Sequence, residues 1–135
     1  MLFLPGYRRW IHADTWRFGR WGERRSEKFL KKKGLTLIAR NYSCTKGELD
    51  LIMSDPSGST GAIVFIEVKT RRSESYQKAQ KSVNYRKRKK MAAAARHFLS
   101  TYKIKNKPLR FDIVAVILPK KGPLEIRHYK KAFTP

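Results

Sequence analysis

"GELDLIMSDPSGSTGAIVFIEVKTRR", residues 47–72, holds the turn and the two strands on which the fold depends. "GELDLIM" alternates, which predicts Glu48, Asp50 and Ile52 on one face and Leu49, Leu51 and Met53 on the other. "DPSGSTG" is dense in turn formers and joins two strands as a hairpin loop. "AIVFIEVKT" is apolar on both faces through Ile66, the pattern of a central strand covered on both sides. Charges stand at its margins. Asp50 comes directly before Leu51-Ile52-Met53, and Glu67 and Lys69 follow Ile63-Val64-Phe65-Ile66. A charged side chain beside a core is costly unless it is paired or holds a metal.

Outward from this hairpin, "GERRSEKFLKKKG" predicts a short helix over about residues 22–33 with Gly34 as its C-cap. "LTLIARN" reads as a strand. After a polar stretch, residues 71–82, "SVNYRKRKKMAAAARHFLSTY" sets Met91, Ala95, Phe98, Leu99 and Tyr102 at helical spacing, and its alanines favour a helix. "RFDIVAVIL" and "LEIRHY" are two further strands, the last at an edge. The order α-β-β-β-α-β-β predicts an α/β fold, a mixed sheet with helices on both faces. Residues 1–20 read as a basic and aromatic extension packing through Trp10 or Trp16, ahead of one domain over 21–133.

The chain has 135 residues, with 32 Lys and Arg against 10 Asp and Glu, a net charge of +22. Such an excess points to a polyanion, above all nucleic acid, because Lys and Arg release the counterions condensed on phosphates. At 41% hydrophobic residues the chain is too apolar for a disordered basic tail. A membrane-surface role ranks last, since no amphipathic Trp/Leu helix is visible. Cys44 is the sole cysteine, which excludes an intrachain disulfide and a Cys-based zinc site. With no secretory or membrane-spanning stretch, the expected location is cytoplasmic.

Glu67 and Lys69 are two apart and share a face of a strand, and the hairpin brings Asp50 beside Glu67. Two carboxylates in one partly dry place repel each other and raise one another's pKa. A divalent cation removes the conflict, and Mg²⁺ is commonly held by one or two carboxylates, water and substrate phosphate. The carbonyl of Val68 adds an oxygen, and Lys69 a positive charge for a hydroxide or a phosphate. The alternative is a structural salt bridge from Lys69 to Glu67 or Asp50.

The D…E-x-K set across adjacent strands resembles the PD-(D/E)XK nuclease superfamily. More closely, "GERRSEKFLKKKGLTLIARNYSCTKGELDLI", "FIEVKTRR", "SVNYRKRKKMAAAARHFL" and "RFDIVAV" resemble, in order, the blocks of the YraN-like bacterial family, called endonuclease-like. The resemblance covers residues 21–133. It implies a restriction-endonuclease-like αβββαβ core, Mg²⁺ or Mn²⁺, and phosphodiester hydrolysis. By matched position it makes Asp50 and Glu67 metal ligands, Lys69 the catalytic lysine, Glu23 the acid of the first helix and Lys87 a phosphate contact on the second. Ser26 stands where the family usually has alanine, and the arginine-rich opening is outside the pattern. Holliday-junction resolvases share the fold, which suggests branched DNA by analogy alone.

Among the other charges, Glu48 is a further ligand or a partner of Lys46, Glu27 is expected to face lysines in solvent, and Asp112 to pair with Arg110. His12, His97 and His128 lack metal-ligand spacing. The basic runs place Arg71, Arg72, Arg86, Lys87 and Arg88 as phosphate contacts, and Tyr76 and Tyr85 as platforms for unpaired bases. Two functions result: a metal-dependent nuclease on structured or single-stranded DNA, or a non-catalytic nucleic-acid-binding module of the same fold. A homodimer stays open under both.

Overall fold

The computed structural model describes residues 6–73 and 83–135; Tyr76, expected above to be a base platform, lies outside them. The elements are α1 (Tyr7–His12), α2 (Thr15–Lys32), β1 (Thr36–Cys44), β2 (Gly47–Asp55), β3 (Ala62–Arg71), α3 (Tyr85–Thr101), β4 (Leu109–Ile117) and β5 (Glu125–Tyr129). The five strands form one sheet in chain order. β3 and β4 run parallel, with α3 as their crossover, and the other neighbours are antiparallel. This is the mixed, helix-covered sheet expected, with β5 at an edge.

β3 explains the layering. Ile63 and Phe65 pack with Met91, Ala95 and Phe98 of α3, whereas Val64 and Ile66 pack with Ile11 of α1 and Phe18, Trp21 and Leu30 of α2. Both faces of the strand are therefore buried, which its unbroken apolar run demands.

The first long helix begins earlier than expected, at Thr15, because Asp14 caps it by accepting the N–H of Arg17 at 3.0 Å. It stops as predicted at Gly34, whose φ of +99° permits a Schellman turn: Gly34 N–H to Lys31 O at 3.0 Å and Leu35 N–H to Leu30 O at 3.1 Å. The N-terminal residues are anchored by Ile11 and Phe18, not by Trp10 or Trp16, which are 52% and 71% exposed. Trp16 precedes Phe18 by two residues and so projects about 160° around the helix from it. α3 ends at Thr101 and leaves Tyr102 exposed, outside the expected apolar face.

The alternation read for β2 holds only in part. Leu49 joins Ile52 in the core under α3, while Leu51 and Met53 face α2. Leu49 and Leu51 are two apart yet point to opposite faces, so the pleat breaks at Asp50. β1 breaks in step: Tyr42 pairs with Leu49 and Arg40 with Leu51, and Asn41 between them has φ of 49°. Asparagine tolerates that left-handed conformation better than most residues.

Candidate functional site

β2 and β3 pair from Asp55–Ala62 to Leu51–Ile66, and their register ends there. Beyond Leu51 the two strands fork, and the side chain of Asp50 occupies the fork. Its Oδ2 accepts the N–H of Val68 at 2.7 Å. In a strand the N–H and C=O of one residue point the same way, so the carbonyl of Val68 also faces the fork rather than β4.

Glu67 is buried, one residue before Val68, and reaches the same opening. Asp50 and Glu67 lie within hydrogen-bonding reach of one another. Burial first, and then the Glu67 charge, push the Asp50 carboxyl up to about 8, so the pair keeps a proton at neutral pH. Two cations answer the remaining charge: the Nζ of Lys87 stands 3.2 Å and that of Lys69 3.7 Å from Glu67 Oε2. Burial pulls the Lys87 pKa down, but Glu67, Asp50 and Glu48 outweigh it and raise it. Lys87 is aimed by the start of α3, where Asn84 accepts its N–H at 2.9 Å.

From the other face α2 brings Glu23. Burial raises its pKa, opposed by Arg20 and Asn41 and reinforced by Glu67 and Glu48. Its Oε1 is buried without a hydrogen-bond partner among the described residues and lies 3.6 Å from Arg20 Nη1. Two glycines bring the helices this close. A Cβ on Gly22 would stand 2.0 Å from Thr70 Oγ1 of β3, and one on Gly47 would stand 2.7 Å from the carbonyl of Lys90 on α3. Sequence reading passed over Gly22, Gly47 and Asn41; a glycine inside a helical pattern was the available signal for the first.

The remaining candidates fall in different places. Glu48 is exposed, with its charge felt by Glu23 and Lys87. Arg71 ends β3 and Arg72 follows it, Arg71 bonding the Thr70 carbonyl and Arg72 that of His12. Arg86 is exposed, while Arg88 bonds Val83 O at 2.9 Å and covers the ring of Phe133. Glu27 is not in solvent: it is buried, grips Arg40 of β1 at 2.6 and 2.9 Å and Lys31 at 2.7 Å. Asp112 pairs with Arg110 as expected and also accepts from His128, inside a buried network that includes Asp55. His12 bonds Leu118 O and His97 bonds Tyr42.

All donors at the fork are oxygen, which suits a hard divalent cation rather than zinc. Asp50, Glu67 and the Val68 carbonyl fit the two-carboxylate pattern by which Mg²⁺ is commonly held. Among the described residues no three His, Cys, Asp or Glu side chains gather to hold a metal. No helix among them is long and apolar enough to cross a membrane.

The fold and the fork define a mixed α/β protein with paired carboxylates at a strand divergence. The chain belongs to the family described as Uncharacterised protein family UPF0102, the YraN-like family, whose model matches residues 22–116. A UPF0102 protein of Pelotomaculum thermopropionicum is 35% identical over 116 residues, covering 85% of this chain and 93% of that one. A UPF0102 protein of Saccharophagus degradans is 43% identical over 106 residues, 78% of this chain and 84% of the relative.

Proposed function

We propose that this chain is a divalent-metal-dependent nuclease of restriction-endonuclease-like fold within the PD-(D/E)XK superfamily, hydrolysing phosphodiester bonds in structured or single-stranded DNA. The observation that carries the reading is the fork: Asp50 and Glu67 side by side, with Lys69 and Lys87 on the same carboxylate, in a chain of charge +22.

Asp50, Glu67 and the Val68 carbonyl would hold Mg²⁺ or Mn²⁺. The bound ion supplies an acidified water and positive charge for the scissile phosphate. Lys69 would set its positive charge beside the nucleophile or the developing phosphate charge, and Lys87, fixed by α3, would bind a phosphate oxygen. Glu23 would orient water through Oε1, which has Arg20 Nη1 at 3.6 Å and no hydrogen-bond partner among the described residues. Arg71, Arg72 and Arg86 extend the phosphate contacts, which position the strand without reading its bases, whereas Arg88 is held by Val83 O and the Phe133 ring.

A second reading, a binding module that does not cut, rests on Glu67 being already paired with Lys87 and Lys69, as in a structural ion cluster. The deciding experiment incubates the protein with linear duplex, single-stranded, flapped and four-way DNA in Mg²⁺ or Mn²⁺. The nuclease reading expects metal-dependent cleavage of at least one. Tight binding with no cleavage of any favours the module.

A further inference from the structure

Beside Glu23 a cleft of about 570 Å³ opens between α1, α2 and β1, lined among others by Trp10, Trp16, Arg17, Arg20, Glu23 and Asn41. Its outer part precedes the family-matched residues 22–116. The two outer tryptophans contribute little to the core: Trp10 is 52% and Trp16 71% exposed, while Phe18 and Trp21 fill the interior beside them. Each carries an arginine. The guanidinium carbon of Arg17 is 4.0 Å from the Trp10 ring centre, and that of Arg20 is 5.4 Å from the Trp16 ring centre.

Exposed indole rings flanked by guanidinium groups are the chemistry that takes an unpaired nucleobase and its phosphate. A base in duplex has both faces stacked on neighbours and offers none to an indole. Trp16, Arg20 and Glu23 stand at i, i+4 and i+7 of α2, on one stripe about 10 Å long. A base on Trp16 would thus lie two helical turns from the carboxylate nearest the fork.

We propose that this cleft binds an unpaired base of a DNA strand whose phosphate enters the Asp50–Glu67 fork, making single-stranded or flapped DNA the substrate class. The second half of this proposal rests on the nuclease reading; the first does not. Arg17, Arg20 and Arg24 give the cleft a positive rim that complements the strand.

The test is metal-free binding of fluorescently labelled single-stranded DNA, flapped DNA, blunt duplex and single-stranded RNA to the wild-type chain, Trp16→Ala, Trp16→Phe and Trp10→Ala/Trp16→Ala. Affinity for single-stranded and flapped DNA should fall about ten- to hundred-fold in the alanine variants. Blunt-duplex affinity should stay within about two-fold, and Trp16→Phe should keep most of the single-strand affinity. A parallel loss on RNA assigns the cleft to unpaired bases on either sugar, and a loss on DNA alone narrows it to DNA; either upholds base binding. Unchanged single-strand affinity, or an equal loss on blunt duplex, overturns it. No cleavage enters this measurement, so an inactive chain that passes leaves the cleft standing while the nuclease reading fails.

Discussion

The carboxylate of Asp50 accepts the backbone N–H of Val68 at 2.7 Å, across a gap where β2 has already left β3. A side chain here takes the place of a strand's backbone in the ladder. The arrangement leaves the Val68 N–H satisfied and opens the sheet on the carbonyl side. It also holds Asp50 against Glu67, where two charges cannot easily coexist.

Burial of Asp50 first, and then its proximity to Glu67, give stability an unusual pH dependence. The folded Asp50 carboxyl keeps its proton up to about 8, against 3.8 for an ordinary aspartate. Between these values the folded chain binds more protons than the unfolded one. The contribution is therefore complete below about pH 4 and is lost as pH rises through 8. Asp50→Asn removes the titration, so its Tm at pH 9 should exceed that of the wild type by about 4 °C or more. The gap should close near pH 4. Parallel Tm curves for the two proteins would show that the folded Asp50 carboxyl is not raised.

Gly22→Ala should push α2 off β3, because the new methyl meets the branched side chain of Thr70. The expected loss is about 1–3 kcal/mol in urea unfolding. Cleavage should fall with it, since Glu23 is the next residue. A variant with full stability would mean that Thr70 yields freely.

Arg110→Ala should be the most destabilising of the polar substitutions. Arg110 bonds Asp112 at 2.9 and 3.0 Å and Asp55 at 2.8 Å, and all three side chains are largely buried. Removing the cation takes the guanidinium from two buried carboxylates and leaves them only Ser57, His128 and the Lys131 N–H, and breaking a buried pair of this kind costs about 3–5 kcal/mol. Equilibrium unfolding measures it; a loss under about 1 kcal/mol would refute the buried network.

Much of this was legible from residues 47–72 and from Gly34, because turn chemistry, helix stops and doubly apolar strands are local signals. The Asp50–Glu67–Lys69 set was visible for the same reason, as charges abutting an apolar run. The paired break at Asn41 and Asp50 was not. Matching irregularities in two strands preserve their register, and nothing in "GELDLIM" departs from simple alternation. Glu27 was misplaced because its partner Arg40 lies on another element, and a lysine-rich neighbourhood looks solvated from sequence alone. The start of α2 was missed because the alternating aromatics and arginines of residues 15–21 blur the helical period, leaving Asp14 as the only sharp sign.

DNA affinity should fall linearly in log–log form with salt, by about 0.9 per phosphate contact. Replacing Arg86, Lys87 and Arg88 together by alanine should reduce that slope by about two rather than three, because Arg88 is held by Val83 O and Phe133. A salt-independent affinity would remove nucleic acid as the partner.

The most direct measurement pairs metal-free DNA affinity with Mn²⁺-dependent single-turnover cleavage for the wild type, Asp50→Ala, Glu67→Ala and Lys69→Ala. Removing an acid from a positive cleft leaves affinity equal or slightly higher, while losing one such electrostatic group costs about 10²–10³ in rate. The predicted result is therefore carboxylate variants that bind and do not cut. Cleavage that survives all three substitutions, or its absence in the wild type on every DNA form, would contradict a metal-dependent nuclease centred on Asp50 and Glu67.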